Sequence, residues 1–250
     1  MCIRDRLRGP WRDMPSKVLV ARPEIDEATQ IMSRDVAEEF VRLASSMLHT
    51  AIDLRDGDAS RAGFEYAVKR YGPEMVALFS HGDADKVVGW DNSMLDTSNA
   101  YLMKGRILYL CACKSASTLG DKLIEEEASA VIGYKDTLTV VTQGGEMLEA
   151  FKNVLRKPSI ILMGRTVGEA YSETLGEYER WIEYYDQADP LIADILRSDR
   201  DALVLKGDED ARLVPATYII VANTTAMMQV MIVIMLIKVL ISKILNIAEQ

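Results

Sequence analysis

Short apolar runs alternate along the chain with longer segments in which apolar residues recur every three or four positions. A continuous apolar run is typical of a parallel strand, because such strands are covered on both faces. The runs predict strands at 18–20, 48–54, 75–79, 107–110, 130–132 and 202–205, and the amphipathic segments predict helices at 25–47, 60–70, 118–127, 145–156 and 167–186. Strands separated by helices form βαβ units, so the pattern predicts an α/β fold with a parallel sheet.

This alternation occupies residues 17–215, which we interpret as one domain with a further segment on either side. Residues 1–16 contain four arginines, and no apolar stretch follows them. Because a secretory signal needs an apolar stretch behind its basic start, we expect a cytoplasmic protein. Two interpretations of 1–16 stay open, a disordered arm and a start that is not native to the protein.

The last segment, 216–250, differs in character from the domain. Its residues 218–241 are mostly apolar, and about 20 such residues are enough for a helix that spans a bilayer. Polar Asn223, Gln229 and Lys238 are costly in hydrocarbon, so a helix or strand pair packed on the domain stays open, as does a stretch foreign to it. We carry forward an apolar C-terminal helix that contacts a membrane and anchors the protein there.

The amino-acid composition and net charge exclude several classes of function. The chain has 250 residues, of which 49% are hydrophobic and 27% charged, so a core can form. The 29 lysines and arginines against 38 acidic residues give a net charge of −9, which argues against nucleic-acid binding. Three cysteines cannot build a disulfide framework, and two histidines cannot build a His-rich metal site. We therefore expect no metal, no cofactor and no nucleic-acid partner.

Two predicted strands run directly into reactive side chains. His81 follows the strand at 75–79, and Cys111 and Cys113 follow the strand at 107–110. In parallel sheets, reactive groups collect in the crevice beyond the carboxyl ends of the strands. If the two strands are neighbours, the imidazole and one thiol share a crevice and form a nucleophile–base pair.

The two cysteines differ in their expected surroundings. Cys111 continues the apolar strand and is expected within the sheet. Cys113 falls in a turn before a helix near Ser117, where helix-terminal N–H groups stabilise a thiolate, so Cys113 is the predicted nucleophile. Gly82 has no Cβ and lets the backbone approach a substrate, so its N–H and that of Cys113 form the predicted oxyanion hole.

A purely structural interpretation stays open beside this chemistry. In it, His81 is a hydrogen-bonded residue at a strand end, and the cysteines are small buried apolar side chains. A Cys-x-Cys metal site lacks the further cysteines or histidines that a closed site needs. Asp83 and Asp85 either orient the imidazole or solvate a loop. His49 stands in no motif and serves as the control histidine.

Two motifs resemble those of the caspase-like cysteine peptidases, the clan of caspases, metacaspases, gingipains, separases and bacterial CHAT domains. Phe-Ser-His-Gly-Asp at 79–83 is similar to the histidine motif of the clan, and Ala-Cys-Lys-Ser at 112–115 is similar to its nucleophile turn. His81 and Cys113 stand 32 positions apart, fewer than the ~50 of caspases and closer to the CHAT and gingipain-like branches. The resemblance extends to segments at 130–134, 166–171 and 205–208.

The resemblance implies a caspase-like three-layer α/β/α sandwich whose mostly parallel central sheet has about six strands. It implies a peptidase in which Cys113 is the nucleophile, His81 is the general acid and base, and the N–H groups of Gly82 and Cys113 bind the oxyanion. A polypeptide substrate and an activating partner protein are the implied partners. Cys111 stands where caspases have Gln and metacaspases an acidic residue, so no primary specificity carries over.

The leading hypothesis is therefore a cysteine endopeptidase that acts through a thioester acyl-enzyme. The alternative is a catalytically inactive scaffold module of the same fold, tethered to a membrane, and the reactivity of the Cys113 thiol separates the two. A nucleotide-binding domain is disfavoured, since Ala-Arg-Pro at 21–23 stands where a glycine-rich loop would follow the first strand.

Overall fold

A central sheet organises the part of the chain that the computed structural model describes, residues 15–142 and 144–213. The strands are β1 (Lys17–Arg22), β2 (Thr50–Arg55), β3 (Met75–Phe79), β4 (Gly82–Asp83), β5 (Lys86–Val88), β6 (Ser93–Asp96), β7 (Ile107–Cys111), β8 (Ala130–Tyr134) and β9 (Leu203–Gly207). Within the described residues, six of them form the sheet β2-β1-β3-β7-β8-β9, and β4-β5-β6 form a small antiparallel sheet. In the large sheet each neighbouring pair from β2 through β1, β3 and β7 to β8 is parallel, and β9 runs antiparallel to β8.

Helices cover both faces of the large sheet. They are α1 (Glu27–Ile31), α2 (Glu38–Ser46), α3 (Arg61–Tyr71), α4 (Thr118–Glu125), α5 (Gly145–Arg156), α6 (Val167–Ala188) and α7 (Pro190–Ala202), with 3₁₀ turns at Asp56–Ala59, Ala100–Met103 and Lys157–Met163. A π-helical stretch, Met32–Ala37, joins α1 to α2, so the helix predicted over 25–47 is one continuous helical segment.

Alternation along the strands divides the core into two halves. Val18 and Val20 of β1 belong to the cluster formed with α2, α5, α6 and α7, whereas Leu19 and Ala21 belong to the cluster formed with α3 and α4. Successive side chains of a strand point to opposite faces, so each buried strand supplies both halves. The predicted three-layer α/β/α sandwich with a mostly parallel sheet of about six strands is confirmed.

Buried Arg22 fixes the connection that leaves β1. Its guanidinium donates to both carboxylate oxygens of Asp53 on β2, each at 2.7 Å, and to the Ser33 carbonyl at 2.8 Å. That carbonyl also accepts the N–H of Glu38 five residues later, which is the π-helical spacing. The carboxylate of Glu38 lies 2.7 Å from the same guanidinium, so a buried cation ties this end of β1 to its neighbours.

Some boundaries and elements differ from the sequence prediction. The second strand begins at Thr50 rather than near 48, because Leu48 adopts a positive φ of 61° in the turn that ends α2. The pattern of apolar positions predicts neither helix α7 nor the small sheet. The α7 sequence has a start signal of its own: Asp189 caps the helix by accepting the Leu191 N–H, and Pro190 occupies its first turn.

The two terminal segments lie outside the described residues, apart from positions 15 and 16 at the start of the domain. The apolar C-terminal helix, the membrane contact of 218–241 and the boundaries of 1–16, 17–215 and 216–250 therefore stay predictions. Among the helices of the described residues, none has the length and apolar character that a membrane crossing requires.

Candidate active site

The strands that carry the two predicted motifs are neighbours. β3 pairs in parallel with β7, with Phe79 opposite Cys111, and the Ser80 N–H donates to the Cys111 carbonyl at 3.2 Å. Both strands therefore end at the same edge of the sheet, and the segments with His81 and Cys113 leave it side by side. The condition on which the shared crevice depends, that the two strands are neighbours, is met.

Gly82 lies directly against the backbone of Cys113. A Cβ at position 82 would stand 2.5 Å from the Cys113 carbonyl oxygen and 3.3 Å from its backbone nitrogen. No side chain fits in this space, because Cβ atoms essentially never approach backbone oxygens so closely. The glycine of the histidine motif is thus the residue that brings the two motifs into contact.

Asp26 is the side chain that binds His81. Its Oδ2 lies 2.6 Å from Nε2 of the imidazole, and the two side chains are 49% and 44% exposed. Asp26 is also the N-cap of α1, where Oδ1 accepts the N–H of Thr29. Burial raises the pKa of Asp26, but the hydrogen bonds from Thr29 and His81 outweigh it and the pKa is lowered.

This contact was not expected from the sequence. Asp83, which we considered as a partner of the imidazole, accepts the N–H of Ala84 at 2.8 Å instead. Asp26 stands 55 positions before His81. The only local signal was the Asp-x-x-Thr capping pattern at the start of α1, which predicts a helix terminus but not what faces it.

Cys113 occupies a turn that is bonded to the segment after β8. The Lys114 N–H donates to the Asp136 carbonyl and the Ala116 N–H to the Tyr134 carbonyl, each at 2.9 Å. Lys114 has a positive φ of 53°, a conformation that costs a non-glycine residue about 1 kcal/mol or more. The turn therefore presents Cys113 at the end of β7 in a defined position.

The sulfur of Cys113 is partly buried and contacts both the backbone nitrogen and the carbonyl oxygen of Leu138. Sγ lies 3.4 Å from the Leu138 carbonyl oxygen and 3.4 Å from the Leu138 nitrogen, so the thiol donates to one and accepts from the other. We expected the donor at the sulfur to come from the helix after the turn. Helix α4 instead begins five residues later, at Thr118, and the N–H that reaches the sulfur in the described structure is that of Leu138.

Cys111 has the surroundings predicted for a structural thiol. It is fully buried in β7, and its sulfur lies 3.8 Å from the Met32 sulfur. Burial raises the pKa of Cys111 to about 12, so almost none of it is thiolate at neutral pH. Of the two described cysteines, only Cys113 is partly exposed, and it lies in the turn that Gly82 contacts.

The control histidine is a core residue. His49 is 5% exposed, and its Nε2 lies 2.8 Å from the Leu162 carbonyl oxygen. Within residues 15–142 and 144–213, no group of three or more His, Cys, Asp and Glu side chains is arranged to hold a metal ion.

Among the comparisons with known proteins, only the one with solved structures found matches. No family model matches the chain, and no curated protein matches it. The solved structure of gingipain R, described as an Arg-specific cysteine proteinase, matches with a TM-score of 0.56 and 13% identity, covering 80% of this chain and 48% of that one. The complex of the pro- and mature domains of RgpB from Porphyromonas gingivalis matches with a TM-score of 0.57 and 12% identity, covering 81% and 49%.

These matches confirm the resemblance at the level of the fold. The described residues have the caspase-like fold of the gingipains, with its mostly parallel six-stranded sheet. The chain spans about half the length of the gingipain chains that it matches.

Proposed function

We propose that this protein is a cysteine endopeptidase in which Cys113 is the nucleophile and His81 the general acid and base. The observation that carries the proposal is the contact of Gly82 with the Cys113 backbone, which joins the histidine turn to the cysteine turn at one sheet edge. The fold that the chain shares with cysteine proteinases supports the same assignment, although fold alone does not determine chemistry.

Acylation begins when the Cys113 thiol loses its proton to His81 and the thiolate attacks the carbonyl carbon of the scissile peptide bond. The C=O electron pair moves onto the oxygen, and the N–H groups of Gly82 and Cys113 donate to this oxyanion. Collapse of the tetrahedral intermediate breaks the C–N bond. His81 returns the proton to the leaving amine, and a thioester between Cys113 and the acyl half of the substrate remains.

Deacylation uses the same groups with water as the nucleophile. His81 removes a proton from water as the water oxygen attacks the thioester carbonyl. The C–S bond then breaks and the carboxylic acid leaves, and His81 returns the proton to the sulfur, which restores the thiol. Asp26 binds Nε2 of His81, so Nδ1 is the nitrogen that exchanges protons. The carboxylate holds the ring orientation and stabilises the imidazolium that forms, as an orienting acid does in a hydrolase triad.

The experiment that tests the proposal is cleavage of a peptide library by the full chain, with Arg, Lys and Asp included at the cut position. We expect Cys113→Ala and His81→Ala each to abolish cleavage, while Cys111→Ala and His49→Ala largely spare it. Loss of labelling by a peptidyl electrophile in Cys111→Ala alone would overturn the assignment.

The same preparation separates the peptidase from the scaffold alternative. A peptidase thiol paired with imidazole alkylates faster than free cysteine at neutral pH, because more of it is thiolate. A folded chain in which Cys113 alkylates no faster than free cysteine, and in which no peptide is cleaved, would be the inactive scaffold module.

The remaining expectations belong to the same proposal. A polypeptide is the substrate, a second protein activates the enzyme, and the protein resides in the cytoplasm with 218–241 in contact with a membrane. The apolar character of 218–241 supports the membrane contact. Sedimentation of the full chain with lipid vesicles tests it, and a chain that stays in the supernatant would contradict it.

A further inference from the structure

Asp199 is a buried carboxyl group whose hydrogen bonding is incomplete. It lies in the last turn of α7, fully buried, and Oδ1 accepts the N–H of Thr139 at 2.9 Å. Its Oδ2 has no hydrogen-bond partner among the described residues. A buried polar atom without a partner costs about 1–3 kcal/mol, so its retention needs an explanation.

Asp199 has no ion-pair partner among the described residues. It interacts electrostatically with Cys111 on β7, Tyr134 on β8 and Tyr178 on α6, all three fully buried, and the guanidinium of the adjacent Arg200 binds Asp201 and Glu179 instead. In the described structure no lysine, arginine or histidine forms an ion pair with Asp199. Its place in the last turn of a helix adds to the cost of a negative charge, because the helix dipole is negative there.

Asp199 is linked to the candidate nucleophile through two consecutive residues. Thr139, whose N–H it accepts, follows Leu138, whose N–H and carbonyl both contact Sγ of Cys113. The Leu138 side chain is 7% exposed and packs in the core cluster that Cys113 borders. A displacement of the Leu138–Thr139 segment would therefore break the contacts of the sulfur and the hydrogen bond to Asp199 together.

We propose that Asp199 is a positioning residue for Cys113: its buried carboxyl group accepts the Thr139 N–H and holds the Leu138–Thr139 segment on the sulfur. Ionisation of that group favours a released, hydrated state of the segment, because burying the charge costs more than the stronger hydrogen bond from Thr139 returns. The inference rests on the proposed function in taking Cys113 as the reacting thiol. When the Leu138–Thr139 segment contacts the sulfur, the S–H bond to the Leu138 carbonyl stabilises the thiol. When the segment is released, the thiol is free to pass its proton to His81.

Proton linkage gives the direction in which pH changes the population of the released state. Burial raises the pKa of Asp199 to about 7, although the Thr139 N–H lowers it in part. A carboxyl group in water has a pKa of about 3.9, so the released state binds its proton more weakly and gains population as the pH rises. With these two values, the population of the released state increases about 80-fold between pH 5 and pH 8.

Hydrogen exchange of the Thr139 amide in the full chain tests the proposal. We expect its protection, after division by the intrinsic exchange rate, to fall by about 80-fold from pH 5 to pH 8 in the wild type. In Asp199→Asn, which keeps an acceptor for Thr139 but cannot ionise, protection should change little over this range. Cys113 should also alkylate more slowly in that variant than in the wild type at pH 8, as measured with iodoacetamide and peptide mapping.

Asp194→Asn is the matched control, because Asp194 lies on the same helix, is 73% exposed and pairs with Arg197. It should reproduce the wild-type pH dependence. If Asp199→Asn fails to fold, the wild-type exchange series decides by itself, and Thr139 protection that does not vary with pH would overturn the proposal. A chain that cleaves no peptide yet shows the exchange profile would instead refute the peptidase and leave this link intact.

Discussion

Oδ2 of Asp26 lies 2.6 Å from Nε2 of His81, and this contact joins the first loop of the sheet to the histidine turn. Asp26 reaches the imidazole from the start of α1, and the buried guanidinium of Arg22 in the preceding strand binds the Ser33 carbonyl just after that helix. The proposed dyad of Cys113 and His81 is thereby extended to a third residue that orients the ring.

Asp26→Asn separates the charge of Asp26 from its structural role. Asparagine is as good an N-cap as aspartate, so α1 and the thermal stability should be preserved. The imidazolium loses its anionic partner, and we expect kcat/KM for peptide cleavage to fall on the order of 10- to 100-fold. That is less than the ~10⁴ of a buried triad, because both side chains are half exposed.

Asp83→Asn is the matched control for this experiment, since Asp83 is near His81 in sequence but bonds to the Ala84 N–H. It should retain near wild-type kcat/KM. Equal losses in the two variants would mean that the general negative charge of the loop matters, and not the contact with the ring.

Gly82→Ala probes the contact between the two motifs. The new Cβ would meet the Cys113 carbonyl at 2.5 Å, and a backbone atom cannot rotate away. We expect a loss of roughly 1–3 kcal/mol in the free energy of unfolding, as for other overpacked sites, and a large loss of Cys113 labelling by a peptidyl electrophile. Gly57→Ala is the control, because nothing lies within 4 Å of a Cβ there. An active Gly82→Ala protein of normal stability would contradict the described contact.

The two described cysteines should differ sharply in reactivity. With a pKa raised by burial to about 12, Cys111 is thiolate to roughly one part in 10⁴ at pH 8, and iodoacetamide cannot reach it in the native protein. Peptide mapping should therefore show Cys113 modified within minutes and Cys111 only after denaturation. Modification of both at the same rate in the native state would place Cys111 at the surface, against the structure.

The contribution of Asp199 to the free energy of unfolding falls as the pH rises. Its folded pKa, about 7, lies above the unfolded value, so the folded state binds the proton more tightly. Stability from this group is full below pH 4, falls as the pH rises from 4 to 7, and is then constant, for a total loss of roughly 4 kcal/mol. Asp199→Asn should therefore become more stable relative to the wild type over that interval, as measured by urea unfolding at each pH. A difference between the two proteins that is the same at pH 4 and pH 8 would contradict it.

Residues with a local signature could be predicted from the sequence, and residues that matter through a distant contact could not. His81 and Cys113 stand just after apolar runs, so the strand pattern alone placed each of them beyond the carboxyl end of a strand. Asp26, Leu138 and Asp199 lie in a helix cap, a loop and a helix end. Nothing within a few residues of them shows that Asp26 contacts the imidazole, Leu138 the sulfur and Asp199 the Thr139 amide.

The sequence by itself determined the strands of the large sheet and most of the helices that cover it, since the period of the apolar positions reports which sides of each segment are buried. It did not predict α7 or the small sheet. It also determined that two motifs with reactive side chains directly follow strands. Only the tertiary structure decided that β3 and β7 are adjacent, that Gly82 touches the Cys113 backbone and that Asp26 binds His81. Hydrogen bonds and close contacts between segments depend on distances set by packing of the whole sheet, and one-dimensional periodicity carries no information about those distances.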